Sequence, residues 1–251
     1  MIRAGAVQVN GKTVYELGVR VESGVDRVTV NGKPVKPSTQ KIYVVFNKPV
    51  NVLTTMSDPE GRPTVADFME KLPVRVFPVG RLDWDTEGLL LLTNDGEFSQ
   101  RVMHPREEIT KTYMAKVDGR PDEKDFAKLL GGVTIPGGRV KALHVERARV
   151  GDSKQYDWVK IVIAEGKNRQ VRFMFQKIGF DVMKLRRVAI GQLTLGALRV
   201  GEYAFLDESG LRQIFKKRKE ESLRHSGPTR RPAGRKKKPK FQTKRAGRAR
   251  T

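Results

Sequence analysis

Asp83, Asp85 and Glu87 stand at alternate positions in the stretch RLDWDTEGLLLLTNDG, directly before an apolar run. Carboxylates gathered this way can attack an electrophilic carbon, move a proton, or steady a cation-like centre, as they do in glycoside cleavage. They can also simply shape a turn, which is the commoner role of an Asp in a loop. Metal ligation is disfavoured by the rest of the chain. Cys is absent, and His104, His144 and His225 are scattered with no second ligand at metal spacing. The missing thiols also exclude disulfides and point to a cytoplasmic setting.

The run at 88–93 has the length and continuity of a strand covered on both faces, and VFPVG at 76–80 reads the same way. The acids therefore fall in the connection between two buried strands, where a rigid sheet holds side chains toward solvent or a cleft. Asp95-Gly96 turns the chain, and a helix through Phe98 and Val102 should follow and end before Pro105. Upstream, KIYVVF at 41–46 reads as a strand, and NKPVNVLTT and DPEGRPTV as loops. TVADFMEKL reads as a short amphipathic helix capped by Thr64, with Val65, Phe68, Met69 and Leu72 on its apolar face.

Two segments downstream carry further candidates. KTYMAKV at 111–117 alternates so that Tyr113, Ala115 and Val117 share one face of a strand. EGKNRQVRFMFQKIG at 165–179 reads as a loop, an Asn168 cap, then a helix whose Val171, Met174, Phe175 and Ile178 form the buried stripe. Arg169, Arg172 and Gln176 fall on a different face. Taken alone, Tyr113 is a core residue and the arginines a solvated surface. At the N-terminus, VQVNGKTV and VTVNGKPV echo each other, each broken by an Asn-Gly pair suited to a tight hairpin.

The 251 residues carry 50 Lys and Arg against 28 Asp and Glu, a formal charge of +22. Residues 216–251 hold 16 of the cations and two of the acids, so +14 of that charge lies in the last 36 residues. Rich in Gly, Pro, Lys and Arg, this tail cannot offset the entropy of folding by burial. Clustered cations instead displace counterions from nucleic acid and bind it without sequence preference. No stretch approaches the roughly 18 apolar residues of a membrane span, and MIRAGAVQVNG lacks the apolar core of a secretory signal. Neither a G-x-G-x-x-G nor a P-loop is present.

GRLDWDTEGLLLLTNDG at 80–96 is very similar to the signature GRLD-x-x-T-x-G-L-L-L-L-T-N-D-G of the bacterial ribosomal pseudouridine synthases of the RsuA/RluB group. The resemblance makes Asp83 the family's nucleophilic aspartate and leaves Asp85 and Glu87 at variable, solvated positions. Tyr113 matches the Tyr of the family's K-x-Y motif, which stacks on the target base, and Arg172 matches the cation paired with the catalytic Asp. Arg81, Lys167, Asn168, Arg169 and Gln170 match its substrate-binding surroundings. KLRRVAIGQLTLGALRVGEYAFL at 184–206 resembles the closing strands, so the likeness covers about 41–206. Two departures stand out: Asn51 where relatives carry Gly, and Phe173 where a second Arg is common. IRAGAVQVNGKTV and DRVTVNGKPVK resemble the second half of an αL RNA-binding module. Its two leading helices have no counterpart before them, so a truncated module is expected.

The resemblance thus implies an α+β pseudouridine synthase fold, a mixed and largely antiparallel sheet flanked by helices. Residues 1–37 would form the partial αL module, 38–212 the catalytic domain and 213–251 a basic tail without fixed structure. The implied activity is conversion of a uridine of ribosomal RNA, on the large-subunit side, to pseudouridine. The partner would be ribosomal RNA or a ribosome assembly intermediate, the enzyme a monomer needing no cofactor, metal or membrane. The competing reading is a non-catalytic RNA-binding factor of ribosome assembly.

Overall fold

The Asn-Gly pairs of the N-terminal segment behave as their conformational freedom allows. Strands β1 (Val7–Val9) and β2 (Lys12–Thr13) are joined by Asn10-Gly11, and β3 (Val28–Val30) and β4 (Lys33–Pro34) by Asn31-Gly32. Asn10 and Gly11 lie at φ 51° and 79°, Asn31 and Gly32 at 49° and 75°, the doubly left-handed geometry that matches a two-residue turn to strand twist. The strands form one antiparallel sheet in the order β2-β1-β3-β4. In the computed structural model, which describes residues 1–22, 24–35, 40–148, 155–216 and 243–244, this sheet belongs to one unit, Met1–Lys41. Ile42–Thr251 forms the other.

The second unit is built on strands β5 (Tyr43–Lys48), β6 (Phe77–Val79), β7 (Thr86–Thr93), β8 (Lys111–Asp118), β9 (Val133–Ile135), β10 (Gly138–Val140), β11 (His144–Ala148), β12 (Tyr156–Ile163), β13 (Val182–Ile190), β14 (Leu193–Thr194), β15 (Tyr203–Phe205) and β16 (Thr243–Lys244). Among the described residues four α-helices accompany them: α1 (Gly96–Met103), α2 (Glu123–Gly131), α3 (Gln170–Lys177) and α4 (Glu208–Phe215). The large sheet runs β11-β12-β8-β13-β7-β5-β15-β16, with β6 added beside β7 and β14 beside β13, while β9 and β10 form a separate hairpin. Between the strands of the described residues only β7 and β13 pair in parallel, and the other ladders are antiparallel.

Residues of β7 show why the apolar run has no polar alternation. Leu90 and Leu92 enter a core with Phe46, Ile161 and Phe175 on one face, while Leu89 and Leu91 enter a second core with Val45, Phe98 and Ile190 on the other. Each helix needs only one apolar stripe. On α1 it is Phe98 and Val102, and Asp95 caps the first turn by accepting from Phe98 N at 3.2 Å. The stripe expected on α3 is buried throughout. Its cap differs: Arg169, not Asn168, holds the N-cap position, at φ 46° with no side-chain cap bond. Gln170 Oε1 takes over by accepting from Lys167 N at 2.9 Å, so the loop is closed from inside the helix.

The expected helix at 64–72 is shorter than its pattern suggests, a single 3-10 turn at Val65–Phe68. Pro63 and Pro73 bracket the segment, too short a span to offset helix nucleation. Its start is instead tied to a loop by Val65 N donating to Leu53 O and Leu53 N to Pro63 O. Most of the basic tail lies outside the described residues, as do 217–242 in full; within it, Thr243–Lys244 adds a short strand to β15. Among the described residues no helix is long and apolar enough to cross a membrane.

Gly88 fixes how closely β7 and β13 approach. At φ 111°, a Cβ on this residue would fall on the backbone carbonyl of Arg187, which cannot move away as a flexible side chain could. Gly88→Ala should therefore lose about 2 to 4 kcal/mol of stability, read as a lower urea midpoint, from strain and overpacking together. An unchanged midpoint would contradict the tight approach.

Candidate active site

The site begins with a turn. Thr86 N donates to Asp83 O at 3.1 Å, so 83–86 form a four-residue turn with Trp84 and Asp85 at its corners, feeding directly into β7. Neighbours hold it from three sides. Asn51 N donates to Trp84 O at 2.9 Å, and Thr54 Oγ1 donates to Leu82 O at 2.7 Å just before the turn. Arg172 Nη2, reaching from α3, donates to Asp85 O at 3.0 Å. Asn51 accomplishes this at φ 58°, the left-handed backbone that Gly would otherwise supply, so the first departure from the family pattern is accommodated. Phe173, the second departure, packs against the core.

The acids of the turn divide their roles differently from expectation. Asp85 Oδ2 lies 3.1 Å from Arg172 Nη2 and 3.2 Å from Arg169 Nη2. Burial raises the Asp85 pKa, but the Arg169 hydrogen bond and the two guanidinium charges outweigh it and leave the carboxyl below its usual range. Asp85 is thus anchored by two arginines while 42 % of its side chain stays exposed. Arg172 also feels the charge of Asp83, but its hydrogen bonds go elsewhere. Its Nη1 donates to Val182 O at 2.6 Å and its Nη2 is committed to Asp85, so the guanidinium is engaged behind the turn. Burial lowers the Arg172 pKa, with Asp85 opposing.

Asp83 points the turn's chemistry elsewhere, onto the wall of a cavity of about 470 Å³. Tyr113 lines the same cavity, with Lys111, Arg187 and the apolar Leu185 and Ile190. Strand register explains the meeting. Arg187 of β13 pairs with Tyr113 of β8 on one side and with Gly88 of β7 on the other, so the strands that carry the wall adjoin the strand that the turn begins. Of the remaining residues singled out in the sequence, Arg81, Asn168 and Arg169 are exposed at the rim. Lys167 Nζ donates to Gly137 O at 2.7 Å. Gln170 lines the cavity but is buried, its amide engaged by Lys167 N and Glu165.

Three cations of the site were missed in the sequence. Arg187 is only 5 % exposed; Nε donates to Leu89 O at 2.7 Å, while Nη2 is buried with no hydrogen-bond partner among the described residues. The signal was present in KLRRVAIG: period-two alternation sets Arg187 on the buried face with Leu185 and Ala189. Lys111 Nζ donates to Ala164 O at 3.3 Å, and burial, helped by the Arg187 charge, lowers its pKa to about 8. Lys48, fully buried at the end of β5, donates to Pro49 O at 2.8 Å. Burial lowers its pKa to about 8 against the charges of Asp83, Asp85 and Glu87.

A family model described as RNA pseudouridylate synthase matches residues 42–177. Ribosomal large subunit pseudouridine synthase B of Bacillus subtilis (strain 168) is 44% identical over 202 residues, 80% of this chain and 82% of that protein. A protein of the same name from Pseudomonas aeruginosa is 35% identical over 267 aligned positions, covering 98% of this chain and 68% of that one. A crystal structure of a pseudouridylate synthase superposes with a TM-score of 0.63 at 28% identity, over 85% of this chain and 90% of its own. The chain belongs to the RNA pseudouridylate synthase family, and its mixed, mostly antiparallel sheet is the fold that the resemblance implied.

Between pH 8 and 10.5 an unfolded chain keeps protons on Lys48 and Lys111 that the folded chain has released, so stability should rise with pH across that window. Each lysine contributes at most about 1.4 kcal/mol per pH unit. Urea denaturation of the wild type and a Lys48→Met variant at several pH values reads this directly. The variant should gain less on alkalinisation; an identical gain would contradict the buried ammonium.

Proposed function

We propose that this protein isomerises a uridine of large-subunit ribosomal RNA to pseudouridine, with Asp83 as the reactive carboxylate. The observation that carries the reading is Asp83 on an anchored turn at the wall of a cavity shared with Tyr113, in a chain of the RNA pseudouridylate synthase family. The choice of RNA rests on the names of the Bacillus and Pseudomonas relatives.

The reaction breaks the bond from ribose C1′ to N1, turns the uracil, and joins C1′ to C5; the proton lost from C5 is balanced by one gained at N1. Asp83 supplies the group that attacks C1′, attacks C6 of the base, or takes a proton. Tyr113 supplies a flat surface for the detached uracil, a stacking contact of about 1 to 3 kcal/mol, and stands where it can assist removal of the C5 proton. Arg187, on the cavity wall, supplies positive charge beside the reacting groups. Arg172 acts through Asp85, as a positioning residue that keeps the turn in place. Before any of this the uridine must leave its stack at a cost of a few kcal/mol. Phosphate contacts from Arg81, Asn168 and Arg169 at the rim, and from the basic tail, help offset that cost. The enzyme acts in the cytoplasm as a monomer, and the N-terminal sheet and tail add RNA affinity. No observation favours the non-catalytic assembly role.

Transcripts of both ribosomal RNAs labelled with tritium at uracil C5 provide the test, because isomerisation releases that tritium to water. The full chain should release it from large-subunit RNA, and Asp83→Ala should lower the rate by at least about 10³-fold while RNA affinity stays within about threefold. Tritium release by Asp83→Ala at the wild-type rate would remove the proposed role.

A further inference from the structure

At the corner of the 83–86 turn, next in sequence to Asp83, the fold leaves an indole open to solvent. Trp84 is 37 % exposed and its ring N–H donates no hydrogen bond among the described residues. The exposure is not the slack of a mobile loop. The Trp84 carbonyl accepts from Asn51 N, the residues on either side are held by the turn bond from Thr86 N and by Arg172, and Val50 beside Asn51 is exposed as well. Trp84 does not line the cavity that Asp83, Tyr113 and Arg187 share. A rigid aromatic surface therefore sits just outside the pocket, one residue from the reactive carboxylate, with exposed Arg81 and Arg169 near it in the same rim.

Aromatic surfaces interleaved with cations are how proteins hold single-stranded nucleic acid without reading base edges: the cations follow phosphates and each ring takes one base. There is also a specific vacancy for such a ring to fill. When a uridine is drawn from its stack into a pocket, the base next to it loses a stacking partner. We propose that Trp84 stacks on the unpaired base adjacent to the target uridine, making it a substrate-binding residue for the flanking nucleotide. The inference rests on the proposed activity for the nature of the ligand, and on the anchored turn for its position. An indole takes any base face, so this contact would strengthen binding to an opened loop or bulge and not select one base over another.

Because Trp158 is the other tryptophan of the chain, a Trp158→Phe background isolates the fluorescence of Trp84. Large-subunit ribosomal RNA transcript added to that protein should quench the emission. Trp84→Ala in the otherwise native chain should weaken RNA binding and raise KM by about 5- to 150-fold, the equivalent of one lost stacked base, with kcat within about twofold. Trp84→Phe should recover most of the affinity. Unquenched emission at saturating RNA, or a Trp84→Ala variant that binds and turns over RNA as the wild type does, would overturn the inference. Tritium release by the wild type reports on the activity independently: if none occurs but RNA still quenches Trp84, the enzymatic reading fails while the stacking contact stands.

Discussion

Everything at this site depends on Arg172 gripping the residue two places beyond Asp83. Its guanidinium spans the carbonyls of Val182 and Asp85 and the Asp85 carboxylate, so one side chain ties α3, the start of β13 and the 83–86 turn together. Asp85 remains partly exposed, and an exposed ion pair alone would contribute little. What makes the contact firm is its mixture of charge with a backbone carbonyl acceptor, in a geometry that leaves the mostly buried guanidinium little freedom. The Arg172 Nε, buried without a partner among the described residues, is the cost of that arrangement.

The large sheet supplies the rigid frame against which such a turn can be held. Because β7 is buried on both faces, its first residue cannot shift without disturbing two cores, and the turn inherits that immobility. The parallel pairing of β7 with β13, permitted by the bare Gly88, carries Arg187 and its neighbour Tyr113 up to the same cavity. Catalysis by positioned charge requires this order: groups fixed before the substrate arrives need no reorganisation during reaction. Lys48 and Lys111 show the cost of gathering cations in and around this site, since burial lowers the pKa of both to about 8.

Much of this was legible in the sequence where local pattern and tertiary setting agree. The continuous apolar run of β7, the Asn-Gly hairpins, the helix through Phe98 and Val102 and the buried stripe of α3 each follow from a rule acting over a few residues. Asp83 and Tyr113, which meet at one cavity, were singled out only through family resemblance, because a loop Asp and a strand Tyr carry no local mark of chemistry. Reading failed where the deciding partner lies far along the chain. The ion pairs of Asp85 went unseen because Arg169 and Arg172 are more than eighty residues away, and so did the Arg172 hydrogen bond to the Asp85 carbonyl. Arg187 escaped notice although its place on the buried face of an alternating strand marked it as a charge needing a partner.

The most direct test of the central claim is made in the cell. The gene would be deleted and pseudouridines mapped in both ribosomal RNAs by carbodiimide labelling and primer extension, with complementation by the wild type and by Asp83→Ala. Loss of one large-subunit site, restored by the wild type and not by Asp83→Ala, is the expected result. An unchanged pseudouridine map, or restoration by Asp83→Ala, would contradict the assignment of Asp83 as the group for which the turn, the sheet and the cavity are arranged.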